Sequence, residues 1–164
     1  MNLSPLMTDN VSELLVTIVD FTKTRRRILT DNILNIQRPG FVPKDLAVDE
    51  FCRSLNAAII EHIQNQRLVL RDTDNIKFGV RASLEAKPVV DKHANELLDE
   101  DEDNYLQLQI RKLLENLLNW RIAEQLLKES QQTTPTETER DTNPVMHRQN
   151  KNRVFRMCSD DSQR

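Results

Sequence analysis

The sequence predicts a mainly α fold with a long helix near each end, and three observations predict it. Glycine occurs only at Gly40 and Gly79, which leaves few of the tight turns that sandwiches and doubly wound sheets need. Hydrophobic residues are 38% of the chain and charged ones 30%, with five Phe, one Trp and one Tyr to fill an interior. That profile suits long helices with thin apolar stripes. Two stretches, beginning near Asn10 and near Asp99, carry apolar residues at steps of three and four. Between them the sequence predicts a middle helix and a small β-hairpin, and beyond them a disordered C-terminal tail. Residues 1–130 read as a single domain and 131–164 as the tail.

In the first helix, from about Asn10 to Gln37, Val11, Leu14, Leu15, Ile18, Phe21, Ile28, Leu29, Ile33 and Ile36 lie mostly on one face. Asn10 and Glu13 have the spacing of a reciprocal cap. Pro39 ends the helix by lacking an N–H and pushing Arg38 out of the α region, and Gly40 supplies the positive φ of a Pro-Gly turn over Arg38 to Phe41. A middle helix is expected from about Leu46 to Gln66, with Val48, Phe51, Leu55, Ala58, Ile59 and Ile63 on one face and Asp45 placed as its cap. Leu68 to Leu70 and Ile76 to Val80 alternate apolar with polar residues around Asp72, Thr73, Asp74 and Asn75, the pattern of a hairpin with a four-residue turn. Residues 81–98 carry Pro88 and no clean period, so a connector is expected there.

The last helix, from about Asp99 to Ser130, has Leu106, Ile110, Leu113, Leu117, Trp120 and Leu127 at alternating steps, with Glu124 in the one polar slot. This spacing predicts a coiled-coil seam. Leu114, Leu118, Ile122 and Leu126 form a second stripe, so more than one partner surface is expected. The five acids Asp99 to Asp103 suit the positive end of a helix dipole better than a cation site. After Ser130 the composition turns to Gln, Thr, Pro, Glu and Arg, as in disordered segments.

Chemistry-bearing patterns are sparse. A net charge of -3 gives no global field toward nucleic acid or an anionic membrane, and Arg25, Arg26 and Arg27 read as a solvated or salt-bridged helix face. His62, His93 and His147 share no metal-ligand spacing with each other or with the cysteines. Asp72 to Asn75 lacks the central Gly and closing Glu of a calcium loop. Cys52 and Cys158 are far apart, so a disulfide between them has no framework around it. No phosphate loop, nucleophile elbow or HExxH pattern occurs. The expectation is a structural protein, not an enzyme, with no cofactor, no metal, no nucleic acid and no small-molecule substrate. The first ten residues lack a basic region and an apolar stretch, so any export is expected without a cleavable signal peptide.

One stretch carries a resemblance. Ile28-Leu29-Thr30-Asp31-Asn32-Ile33-Leu34-Asn35, followed by Arg38-Pro39-Gly40-Phe41, resembles the N-terminal signature of the flagellar basal-body rod protein family, in which a helix ending in Asn-Ile-x-Asn runs into a Pro-Gly-aromatic turn. The continuation Pro43-Lys44-Asp45-Leu46, then Glu50-Phe51 opening another helix, is most similar to the family's proximal-rod members, over roughly residues 14–60. In place of the family's Asp-Gly-Asn-rich lead-in to the last helix, this chain has Asp91 to Leu98, which contains Asn95 and no Gly.

The resemblance implies that the helices over 10–37 and 99–130 pair as an antiparallel coiled coil, with 38–98 as a middle region. It implies a structural subunit of the bacterial flagellum basal body, a periplasmic rod reached by type III export, that self-assembles for motility. Its implied partners are other flagellar rod proteins and the basal-body ring and export-gate components. The implied assembly motif is Asn32, Ile33, Asn35, Pro39, Gly40, Phe41 and Asp45. The alternative is a cytosolic helical adaptor or export chaperone that uses the same stripes on one partner.

Overall fold

The computed structural model describes residues 4–79 and 83–132, with side chains from residue 10 onward. The chain is mainly helical. Its elements in order are α1 (Ser4–Leu34), β1 (Lys44–Asp45), α2 (Val48–Asn65), β2 (Ile76–Phe78), β3 (Leu84–Ala86), β4 (Val89–Val90), α3 (Lys92–Glu100) and α4 (Glu102–Gln132). The part of the expected tail from residue 133 onward lies outside the described residues, while Gln131 and Gln132 still belong to α4.

α1 begins earlier than the Asn10 and Glu13 spacing predicts, so both residues lie inside the helix and neither caps it. Pro5 falls in the first turn, where its missing N–H has no partner to lose. At the other end α1 stops at Leu34 and the chain tightens. Arg38 N–H donates to the Asn35 carbonyl at 2.9 Å and Phe41 N–H to the Arg38 carbonyl at 3.0 Å. Gly40 sits at φ 71°, the left-handed position that a Pro-Gly turn requires.

α1 and α4 lie side by side and run in opposite directions. Ser12 meets Ser130 at 3.1 Å, the Asn116 amide donates to the Thr22 carbonyl at 2.8 Å, and Asn32 donates to Gln109 at 3.0 Å. The facing row of α1 is Leu15, Ile18, Thr22, Arg25, Leu29 and Asn32, all buried. On α4 the buried row is Tyr105, Gln109, Asn116, Asn119 and Ala123, with Lys112 half-buried among them. Both rows advance by threes and fours. The α4 row lies one residue before the stripe of Leu106, Ile110, Leu113, Leu117 and Trp120, a rotation of about 100°. Those apolar residues are half-buried and Ile110 is exposed. Polar side chains win the inner row because the partner helix and β1 satisfy them with hydrogen bonds, and apolar periodicity alone cannot register such a row.

α2 packs across the α1–α4 pair. The Phe21 and Phe51 rings stack at 3.8 Å between centroids, within one core cluster that includes Leu15, Ile18, Leu46, Leu55, Ile76 and Ala123. α2 starts after Ala47, which makes no side-chain cap, so Asp45 is not its cap. Cys52, buried on α2, is disulfide-bonded, and Cys158 lies outside the described residues.

Two short antiparallel ribbons occupy the middle region. β1 pairs with β4, Lys44 opposite Val90, and β2 pairs with β3, Ile76 opposite Ala86. The hairpin therefore uses 76–78 and 84–86, not 68–70. Its displacement has a local cause: the Asp72 carboxylate accepts the Phe78 N–H at 2.8 Å, taking a donor that a strand at 68–70 would have needed. The 72–75 turn is instead fastened to α2, where Glu50 accepts from the Asn75 side chain at 2.7 Å and Ser54 donates to the Arg71 carbonyl at 2.9 Å.

The stretch expected to be a connector contains β3, β4 and α3. Asp91 caps α3 by accepting the Ala94 N–H at 3.1 Å. The acid run divides between helices: Asp99 and Glu100 close α3, Asp101 accepts the Asn104 N–H at 3.0 Å, and Glu102 and Asp103 occupy the first turn of α4.

Candidate assembly site

The residues from Asn32 to Asp45 form a strap that leaves the end of α1, turns at Pro39-Gly40 and returns along α1 as β1. Asn32 is buried and fixes that return. Its amide donates to the Lys44 carbonyl at 2.7 Å and its carbonyl oxygen accepts the Lys44 N–H at 3.2 Å, so the side chain completes the edge of β1 as a backbone unit would. The Asn32 main-chain carbonyl accepts the Tyr105 hydroxyl at 3.0 Å, tying the same point to α4. Burial, then the charge of Asp91, pushes the Tyr105 phenol up to about 12.

Asn35 acts on its own helix, its amide donating to the Asp31 carbonyl at 2.8 Å near the open end of α1. Ile33 is half-buried, and Pro39 and Gly40 are exposed. A Cβ added at Gly40 would meet no atom within 4 Å, so only the backbone angle demands glycine there. Phe41 is half-buried against a second small cluster of Ala94, Tyr105 and Leu108, and so anchors the strap to α3 and α4. Val42, 42% exposed, and Val90, 52% exposed, flank a shallow groove beside Asn32, Pro39 and Phe41.

Asp45 is the residue whose environment differs most from its expected role. It accepts both Nε and Nη2 of Arg25 at 2.8 Å, and Lys112 at 3.2 Å. Lys112 also reaches Asp91, the cap of α3. The four charges alternate in sign and join α1, β1, α3 and α4. Burial raises the Asp45 carboxyl, but the hydrogen bond and charge of Arg25, with Lys112 and the Leu46 N–H, outweigh it and hold the group below the usual range. Sequence reasoning missed Arg25, Asp91 and Lys112 as members of this group. A signal was available: Arg25 falls in step with Thr22 and Leu29, a core phase, while Arg26 and Arg27 do not. Arg26 lies over the Trp120 ring at 5.3 Å, and Arg27 is exposed. The three guanidiniums therefore do not share a face.

Comparison with protein-family models, curated proteins and solved structures finds no match to this chain.

The predicted seam residues stand as the flank of the α1–α4 pair. Leu106 joins the Tyr105 cluster, Trp120 and Leu127 pack on the main core, and Leu113 and Leu117 are half-buried. Farther round α4, Ile110, Leu114 and Leu118 are 48%, 61% and 52% exposed and follow one another one turn apart. The helix thus carries a polar row inward and an apolar row outward. Among the described residues no three His, Cys, Asp or Glu side chains come together as a metal site would require, and no helix is long and apolar enough to cross a membrane.

Proposed function

We propose that this chain is a structural subunit of the bacterial flagellar basal-body rod, most like its proximal-rod members, and that it assembles through its terminal helices. The observation that carries the reading is the strap from Asn32 to Asp45. The residues that resemble the rod signature are those that turn the chain back at Pro39-Gly40 and tie it to both long helices. The opposite-running helices α1 and α4, whose facing rows advance by threes and fours, support an antiparallel coiled coil as the inner element.

The outward apolar row supports assembly. Ile110, Leu114 and Leu118 are each about half exposed, and covering them would gain roughly 1 kcal/mol apiece, half of what full burial of such a side chain contributes. A monomer leaves that gain unused and a stacked array recovers it in every copy. On this reading the partners are further rod subunits and the ring and export-gate components of the basal body, and the chain is exported to a periplasmic rod.

The test is immunoblotting of purified hook–basal bodies for this chain, together with motility of a deletion strain. Presence in the particle with loss of motility is expected. Absence from the particle with motility intact would reject the reading in favour of a cytosolic adaptor or export chaperone. The same outward row could serve that adaptor's single partner.

A further inference from the structure

α4 is open on the side away from α1. At 100° per residue, the buried row from Tyr105 to Ala123 centres roughly 180° round the helix from Ile110, Leu114 and Leu118. No described element covers these three, and each is about half exposed. Charge on the same face is sorted along the axis. Asp103 precedes the apolar row, Arg121 and Lys128 follow it, and all three are exposed within about 40° of its centre. The acidic end continues into Asp99, Glu100, Asp101 and Glu102, also exposed. Lys128 meets Glu124 of its own helix, but at 3.8 Å and 62% exposed that pair contributes little.

A second copy of α4 laid against this face in the opposite direction matches that order. With Leu114 on a twofold axis, Ile110 lies level with Leu118 of the other copy, so the two apolar rows coincide along their length. At 1.5 Å per residue Asp103 stands roughly 16 Å from the axis, between the other copy's Arg121 and Lys128 at roughly 10 and 21 Å. Acid therefore meets base at both ends. A parallel pair would instead set Asp103 against Asp103 and Arg121 against Arg121, like charges at both ends.

We propose that two copies of this chain pair antiparallel through the outward face of α4, with Leu114 on the twofold axis and Asp103 of each copy between Arg121 and Lys128 of the other. The interface is the same patch on both copies and closes on itself. Three apolar side chains per copy inside an exposed charged rim make a contact smaller than the roughly 1,200 Å² of standard stable complexes. The expected Kd is therefore on the order of 10–100 µM. The pair needs only this face and a second copy, so it stands or falls apart from the rod reading. Within that reading, pairing occupies the row that stacking uses, and the two exclude each other.

The test is sedimentation equilibrium of the full chain from about 5 to 500 µM, a range that brackets that Kd. A reversible, non-covalent monomer–dimer equilibrium is expected. Raising salt from about 0.05 to 0.5 M should weaken it at least ~3-fold, because the end charges are exposed and screened, whereas a parallel pair would tighten. Leu114→Asp should abolish the dimer over the whole range. Asp103→Arg should weaken it ~10-fold and Arg121→Asp should weaken it too, yet adding Arg121→Asp to Asp103→Arg should regain at least ~3-fold. Far-ultraviolet circular dichroism of each variant below the Kd should match the parent, which separates pairing from folding. A chain that stays monomeric throughout, a dimer held by a disulfide, a dimer that Leu114→Asp leaves intact, one that tightens with salt, or no recovery in the double variant would each overturn the proposal.

Discussion

Replacing Asp45 with Asn is the perturbation whose size the structure fixes best. Asp45 and Arg25 side chains are each 9% exposed, and two hydrogen bonds of 2.8 Å join them in the parallel geometry of a guanidinium–carboxylate fork. The substitution keeps the shape and removes the charge, which leaves Arg25 buried without a counter-ion. Breaking one side of such a pair costs about 3–5 kcal/mol, against a total of about 5–15 kcal/mol for a domain of ordinary stability. The expected result is a fall in Tm of roughly 10–20 °C. Lys112→Met should cost only about 1–2 kcal/mol, because Asp45 keeps Arg25 and Asp91 keeps its cap on Ala94. Adding Arg25→Met to Asp45→Asn should recover much of the loss, since the orphaned charge goes with it. Urea unfolding of the four proteins, followed by far-ultraviolet circular dichroism, supplies all the free energies. A loss under about 1 kcal/mol for Asp45→Asn, or no recovery in the double variant, would refute the argument. The pH dependence has a definite sign. A carboxyl held below its ordinary value contributes stability that is complete above the unfolded value of 3.8 and is lost as pH falls through the lower folded value. Stability should therefore drop as pH falls below about 4, and Asp45→Asn should flatten that drop.

Tyr105 is the only tyrosine, so its near-ultraviolet phenolate absorbance reports one site. With the folded value near 12, its stabilisation is complete below an ordinary phenol value of about 10 and is lost as pH rises from there toward 12. The absorbance should stay low until the chain unfolds at alkaline pH, and titration near 10 in the folded protein would contradict the burial argument. Gly40→Asn should be tolerated and Gly40→Val should cost about 1–2 kcal/mol, because the penalty is the left-handed backbone alone; equal Tm values for the two variants would rule out that cause. Leu114→Asp with Leu118→Asp should change monomer stability by less than about 1 kcal/mol yet, on the proposed rod reading, abolish incorporation into basal bodies, and normal incorporation would show that the outward row is not an assembly surface.

Much of the fold was legible from the sequence, for reasons visible in particular residues. The long helices and the Arg38 to Phe41 turn followed from apolar spacing and from Pro39-Gly40, signals set within a few residues of the features they make. Signals that depend on a distant partner were not legible. Asp45 looks like a helix cap until Arg25 and Lys112 are seen to reach it from two other helices. Asn116 and Gln109 look like solvent-facing residues until Thr22 and Asn32 bond them. The hairpin moved along the chain because one carboxylate, Asp72, took a strand donor. α3 was hidden by Pro88 and by a short apolar pattern, although Asp91 three residues before Ala94 is a cap signal that could have found it. Of the assembly residues, Asn32 is placed by its neighbours on two other elements, β1 and α4, and only its position before the turn could be read in advance.

The distribution of polarity around α4 has a consequence for how the two long helices find each other. Asn116 is fully buried and donates to the Thr22 carbonyl, yet its own carbonyl oxygen has no partner among the described residues. Replacing it with Leu removes one hydrogen bond, worth about 1 kcal/mol, and also removes an unpaired acceptor while adding apolar surface. Stability of Asn116→Leu should therefore stay within about 1 kcal/mol of the parent or rise. Specificity should not survive. With Leu at 116 the inner row joins Leu113, Leu117 and the outer row into an apolar band that runs around much of the helix, and α1 has lost the mid-helix member of the set of bonds that mark one rotation of α4 as correct. Analytical ultracentrifugation should then show several associated states, where the parent at the same concentration shows one. If Asn116→Leu is instead clearly destabilised and remains a single species, the buried amide serves stability and not orientation, and the inward placement of polar side chains would need a different cause.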